Sequence, residues 1–206
     1  MATVSTKDTI LEVAARLFAS QGYAAVSMRD VATEVGVTPA NLYYHFKDKE
    51  TLIREALAHV FADRTAPLEA IAGDSSSPDR TFEVVVGWFV RLIFEDAVFS
   101  RLLFRELLDG DGQRLEYLSK TVFERPFALI TEVTSAYATR SDPVLSAVSV
   151  IGMIFGHFQL SRVLPHLPGG RVEYTNTDAV TRHVLALLRG ALNGGPDGEP
   201  NVEAAP

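Results

Sequence analysis

Between Ser27 and Lys49 the chain reads SMRDVATEVGVTPANLYYHFKDK, two short helical patterns separated by one glycine and restarted by a Thr-Pro pair. No other stretch constrains the fold so tightly. Ser27 can cap a first helix with Asp30 reciprocating three residues on, and Met28, Val31, Ala32 and Val35 recur on one face at helical spacing. Gly36 ends that helix, because a residue just past a helix end often needs a positive φ, which glycine adopts without steric penalty. Thr38 then offers an N-cap and Pro39 a pre-set first position, so a second helix starts at Pro39. Leu42 and Phe46, four apart, anchor it inward and leave Ala40, Asn41, Tyr43, Tyr44 and His45 outward or flanking. Two adjacent tyrosines on a short helix cannot both face a core. A short helix with that surface fits a DNA major groove.

The flanking sequence completes an all-α head. A first helix is predicted from about Lys7 to Gln21, with Ser5 and Asp8 as its capping box and Ile10, Val13, Ala14, Leu17 and Phe18 as its apolar stripe. Asp48 caps a fourth helix whose stripe is Leu52, Ile53, Ala56, Leu57, Val60 and Phe61, and Pro67 bends or shifts its end. Beyond the GDSSSPD loop at Gly73–Asp79, more apolar helical segments follow at about Arg80–Asp96, Val98–Leu108, Gln113–Arg140, Pro143–Leu164 and Thr177–Leu192. Pro126 falls inside one of them and predicts a kink or a split. The domain reading is therefore a helix-turn-helix unit over 5–50, with the helix from 48 leading onward, then a helical domain over 51–192. The tail over 193–206, rich in Gly, Pro and acidic residues, is expected to be disordered.

Within Pro143–Ser161, nineteen residues carry no formal charge, a length that would suit a membrane span. Its serines, Gln159 and His157, and the missing aromatic belt and flanking basic bias, favour a buried helix instead. Gly152 and Gly156 would let another helix approach, and Val180, Val184, Leu187, Leu188 and Ala191 line one face of the last helix. Two apolar helices at the end of the chain suggest a homodimer.

Composition narrows the function. With no cysteine, disulfide scaffolds, thiolate zinc sites and cysteine nucleophiles are excluded. The N-terminus lacks the charged-then-apolar layout of a secretory signal, which reads as a cytoplasmic start with no membrane partner. A net charge of −7 is unusual for a DNA binder, since phosphate neutralisation supplies much of the affinity. Residues 1–50 hold only −1 of it: Lys7, Arg16, Arg29, Lys47 and Lys49 against Asp8, Glu12, Asp30, Glu34, Asp48 and Glu50. Arg29, Lys47 and Lys49 gather at the helix ends, where phosphates would lie.

From about Ile10 to Leu57 the chain resembles the TetR family of bacterial transcriptional regulators. The likeness rests on ARLFASQGY, on SMRDVATEVGV and on NLYYHFKDKETL, in that order over nearly fifty residues. It implies an N-terminal three-helix bundle with a helix-turn-helix, linked to a larger C-terminal helical domain for ligand binding and dimerisation. It further implies that Ser27 and Arg29 contact phosphates, that Thr38, Pro39, Ala40 and Asn41 sit deepest in the groove, and that Tyr43, His45 and Lys49 hold phosphates on either side. Asn41 has the amide to pair with an adenine edge, whereas Pro39 and Ala40 can meet a thymine methyl. The dimer would form through the last two helices, about 143–164 and 177–192. A small-molecule effector would sit among the middle helices, with Trp88, Phe104, Arg105, Tyr117, Phe127, Phe155 and His157 as candidates, and Glu106 and Gln159 as further polar groups. The expected function is a ligand-responsive repressor bound to a palindromic operator and released by its effector. No cofactor and no metal are expected.

Two other functions compete with this one. An enzyme finds no support in motif chemistry: GxSxG and P-loop patterns are absent, and the five histidines form no close metal-ligand pair with carboxylate spacing. A helical adaptor that kept the fold and lost DNA binding would suit the acidic balance, and salt-dependent retention on DNA discriminates it.

Overall fold

The computed structural model describes residues 5–73, 77–136 and 142–193, and these are helical, with no strand among them. The expectation of a disordered tail falls outside the described residues from 194 onward. Four helices open the chain: α1 (Thr6–Gln21), α2 (Met28–Val35), α3 (Pro39–His45) and α4 (Lys49–Thr65). Then come α5 (Pro67–Gly73), α6 (Pro78–Glu95), α7 (Ala97–Asp109), α8 (Gly112–Leu118), α9 (Glu124–Ser135), α10 (Pro143–Leu160) and α11 (Thr177–Asn193).

Prolines account for two of the breaks. Pro67 starts α5 one residue after α4 closes at Ala66. Pro126 lacks an N–H, and its ring would press on the carbonyl of Val122, four residues back. There the helical pattern predicted from Gln113 splits: α8 passes through a wider π turn at Ser119–Phe123 before α9 begins.

The described residues fall into two compact units. The first draws on Met1–Gly73 and Arg91–Leu129, the second on Asp74–Val90 and Ile130–Pro206. In the first, α1 packs on α4, α7 and α2, and α2 packs on α3. All six predicted stripe residues of α4 are buried, and Phe61 meets Phe99 edge to face at 5.2 Å and Phe123 at 5.3 Å. Such ring pairs add to the area they remove from water.

In the second unit α10 packs on α11, Phe89 reaches Phe155 at 5.9 Å, and Arg189 of α11 holds Glu83 at 2.6 Å. Here two expectations change. The helix read as buried has only 22 % of Pro143–Leu160 buried, although by length and composition it could cross a membrane. One face, with Ser146, Ala147, Val150 and Ile154, is covered within the chain. The row at four-residue spacing on another side, Val144, Val148, Gly152, Gly156 and Leu160, is exposed. Leu187 is likewise exposed, and Leu185 is buried in its stead. The covered stripe of α11 turns toward the 180–184–185–188 side, because a single neighbouring helix shields only one narrow arc. Ala191 lies outside the residues whose side chains are described.

Candidate nucleic-acid interface

Local hydrogen bonds build the helix-turn-helix almost entirely within four residues of sequence. The Ser27 hydroxyl accepts the Asp30 N–H at 3.2 Å, and Asp30 Oδ2 accepts the Ser27 N–H and the Ser27 hydroxyl, each at 2.7 Å. That is the reciprocal capping box expected of Ser27 and Asp30. At the other end Gly36 takes φ +79°, its N–H reaching the Thr33 carbonyl while the Val37 N–H reaches Ala32 at 2.9 Å. The two bonds form a Schellman closure, which absorbs the last free carbonyls of α2 and aims the chain at its next turn. Thr38 Oγ1 then accepts the Asn41 N–H at 3.2 Å, with Pro39 in the first turn.

Packing divides the recognition helix into two faces. Leu42 and Phe46 are fully buried, whereas Tyr43 and Tyr44 are 54 % and 83 % exposed. Thr38, Pro39, Ala40 and Asn41 are exposed too, as are Ser27, Arg29 and Lys47, while His45 and Lys49 are half-buried. The Lys7 ammonium lies 5.6 Å from the centre of the Phe46 ring and pairs with Glu55 at 2.7 Å, so the end of α3 is clasped between α1 and α4. All eleven residues expected at a DNA surface belong to the first unit.

The Ser27 hydroxyl, and then its backbone N–H, hold the Asp30 carboxyl below its ordinary value of 3.8. A carboxyl lowered by folding contributes stability above its unfolded pKa and loses it as pH falls through the folded one. We therefore expect the Asp30 carboxyl to titrate with a midpoint below 3.8, and the amides of α2 to lose protection in that same acid window. Carboxyl NMR titration checks this, and a midpoint at or above the ordinary value contradicts it.

The candidates for an effector site are divided between the units. Trp88, Phe155 and His157 belong to the second; Phe104, Arg105, Tyr117 and Phe127 belong to the first. Tyr117 carries the Arg54 guanidinium on its ring at 5.2 Å, and Arg105 faces the Tyr23 ring at 5.8 Å. Gln159 is exposed. Glu106 is fully buried, with both its oxygens engaged by Tyr23 and Arg114. In the second unit a pocket of about 470 Å³ is lined by His157, His183, Arg182, Tyr174, Leu164 and Val180. Burial, and then His183 at 5.4 Å between ring centres, push the His157 pKa below 6.5. Sequence reasoning put only His157 of this group forward for a ligand site, since the others come from α11 or from the 3₁₀ turns Leu164–His166 and Val172–Thr175.

Comparison with known proteins follows the same division. Residues 10–56 match the family model described as bacterial regulatory proteins, tetR family. The chain is 34 % identical over 80 residues to the HTH-type transcriptional repressor KstR2 of Mycolicibacterium smegmatis, a match covering 34 % of this chain and 39 % of that one. The curated relative is thus matched over well under half its length. Among solved structures, the fatty acid degradation regulator FadR from Bacillus halodurans superposes with a TM-score of 0.76 at 14 % identity, covering 95 % of this chain and 100 % of that one. AibR in complex with isovaleryl coenzyme A and operator DNA superposes with a TM-score of 0.68 at 20 % identity, covering 89 % and 97 %. At such identities the superpositions establish the fold, and they extend it through the C-terminal helices. The capped helix-turn-helix thus lies within the segment that matches the tetR family model, and the chain as a whole shares the fold of those solved structures.

Proposed function

We propose that the protein is a ligand-responsive transcriptional repressor that binds a palindromic operator as a homodimer. The observation that carries this reading is the two-faced recognition helix. Leu42 and Phe46 lock α3 into the head, while Thr38, Pro39, Ala40 and Asn41 stand exposed at its start. Ser27, Arg29, Tyr43, Tyr44, His45, Lys47 and Lys49 flank that edge and suit phosphate contacts, which orient a reader without specifying sequence. Asn41 is the residue of choice for an adenine edge.

Dimerisation through α10 and α11 is supported by their uncovered apolar surface. Two heads would then meet successive major grooves roughly 34–36 Å apart. Effector binding would favour another head spacing: a ligand that prefers the DNA-incompetent state ~100-fold supplies about 3 kcal/mol of coupling, enough to release an operator. The pocket around His157 has the volume of a small-molecule site; the half-buried aromatics Trp88 and Phe155 of the second unit, and Phe104 and Phe127 of the first, are further candidates. Action in the cytoplasm follows from the same reading.

Selection of bound DNA from a random pool tests the proposal. A palindromic consensus is the expected result. On that site Asn41→Ala should cost about 1–3 kcal/mol and relax the preference at one base pair, whereas Lys49→Ala should reduce the salt slope by about one. Recovery of no sequence, with retention that does not change with salt, would mean an adaptor.

A further inference from the structure

We propose that the corner between α1 and α2 is latched into a socket on α7 and α8, and that this latch sets the heading of the DNA-reading helices. Tyr23, Glu106 and Arg114 are its positioning residues. The inference rests on the proposed function for what the head reads, but the latch itself is a matter of geometry within the first unit.

Gly22 closes α1 at φ +87°, and Tyr23 follows it, its ring edge-on to Phe18 at 5.5 Å. The Tyr23 hydroxyl donates to Glu106 Oε1 at 2.5 Å. Glu106 Oε2 accepts from Arg114 Nε at 2.7 Å, and Arg114 Nη1 donates to Glu50 Oε1, in the first turn of α4, at 2.9 Å. Four elements are thereby joined through one carboxylate: the α1–α2 corner, α7, α8 and α4. Both guanidinium groups also face the Tyr23 ring, Arg114 at 5.2 Å and Arg105 at 5.8 Å from its centre. Arg105 sits so close to the corner that a Cβ on Gly22 would lie 3.0 Å from its Nη1.

The arrangement is poorly explained as a source of stability. Glu106 is 0 % and Arg114 9 % exposed, and Arg105 Nε is buried without a hydrogen-bond partner. Removing such groups from water costs more than an apolar core of the same volume would, so buried ion pairs are weak contributors to folding but strict about geometry. Burial and then Glu106 raise the Tyr23 pKa above its ordinary value of 10, which keeps the phenol a donor.

A second polar tie lies at the other end of α7. Asp96 caps that helix and accepts from Arg64 Nε at 3.1 Å, while the Arg64 Nη groups hold Glu12 of α1 at 3.2 Å. Asp96 and Glu106 are ten residues apart, roughly 15 Å along the helix. Between them the largest buried side chains are apolar, Phe99, Leu102 and Leu103. Apolar contacts tolerate sliding, being non-directional; hydrogen bonds to buried charges do not. The two polar ties thus specify the register of α7 against α1 and α4, and the Tyr23 tie delivers that register four residues ahead of Ser27, where the helix-turn-helix begins.

The test compares the full-length wild type with Tyr23→Phe, Glu106→Gln and the double variant. The DNA probes are the selected palindrome and versions with one or two base pairs added to or removed from its centre. If the latch sets heading, each single variant binds the natural spacing about tenfold more weakly, the worth of one hydrogen bond to a charged group. Its preference for that spacing over the altered ones also falls, and the double variant is no worse than either single one. In the free protein, amide exchange at residues 22–26 accelerates in Tyr23→Phe ahead of α4. Losses equal at every spacing and tracking a fall in thermal midpoint would overturn the proposal, as would an unchanged spacing preference. Should the wild type select no palindrome, the repressor reading fails, and the exchange measurement still decides whether the corner is latched: unchanged exchange at 22–26 rejects it.

Discussion

Phe46→Ala is expected to cost about 3–5 kcal/mol of folding free energy and DNA binding with it, whereas Tyr44→Ala should leave stability within about 0.5 kcal/mol and weaken DNA binding alone. The two aromatics are two residues apart on the same short segment. Phe46 is 0 % exposed, caps α3 through its N–H to the Leu42 carbonyl at 2.9 Å, and sits under Lys7. Its removal leaves a cavity at the point where α1, α3 and α4 meet, and a seven-residue helix has too few bonds of its own to persist without that anchor. Tyr44 is 83 % exposed, so its truncation empties no core. Denaturant unfolding and operator binding measured together check the pair. Equal stability losses for the two variants would contradict the two-faced description of α3.

Val148→Glu is expected to convert a dimer into a monomer and to lower operator affinity about 100-fold or more, because two linked heads gain that much through effective concentration. Val148 lies in the first half of the exposed row Val144, Val148, Gly152, Gly156 and Leu160 of α10. A Cβ added at either glycine would meet nothing within 4 Å, so the row has room for a helix from a second copy to approach closely. A carboxylate placed in such a contact would be buried without a partner. Sedimentation of wild type and variant at the same concentration checks the prediction. A wild type that is monomeric and floats with lipid vesicles would instead assign this helix to a membrane, and a variant that stays dimeric would move the interface elsewhere.

Much of the head was legible from residue types alone. Ser27 with Asp30, Gly36 with Ala32 and Thr33, and Thr38 with Asn41 find their partners within four residues, so spacing and side-chain chemistry name both ends of each bond. The inward turn of Leu42 and Phe46 followed from helical period in the same way. The outer helices were legible in approximate extent, and Pro126 announced the split between α8 and α9, whereas α5 was read only as a bent or shifted end of α4. The detail of that split, a π turn rather than a kink, depends on how the neighbouring carbonyls are relieved, which one residue cannot specify.

Other assignments needed the third dimension. Glu106 reads in sequence as a polar group among aromatics, a candidate for a ligand site. In the fold it is spent on Tyr23, 83 residues earlier, and on Arg114, eight residues later. Arg105 and Tyr117 likewise turn to Tyr23 and Arg54. An apolar run at Pro143–Leu160 announces that the helix will be buried, but one chain covers only part of it. The sequence by itself determined the helices, their caps and the face that α3 presents, since these depend on bonds and periods closed within a turn or two. Tertiary structure alone decided which charges are buried together and which apolar face is left uncovered, because those depend on contacts between segments whose separation along the chain carries no signal.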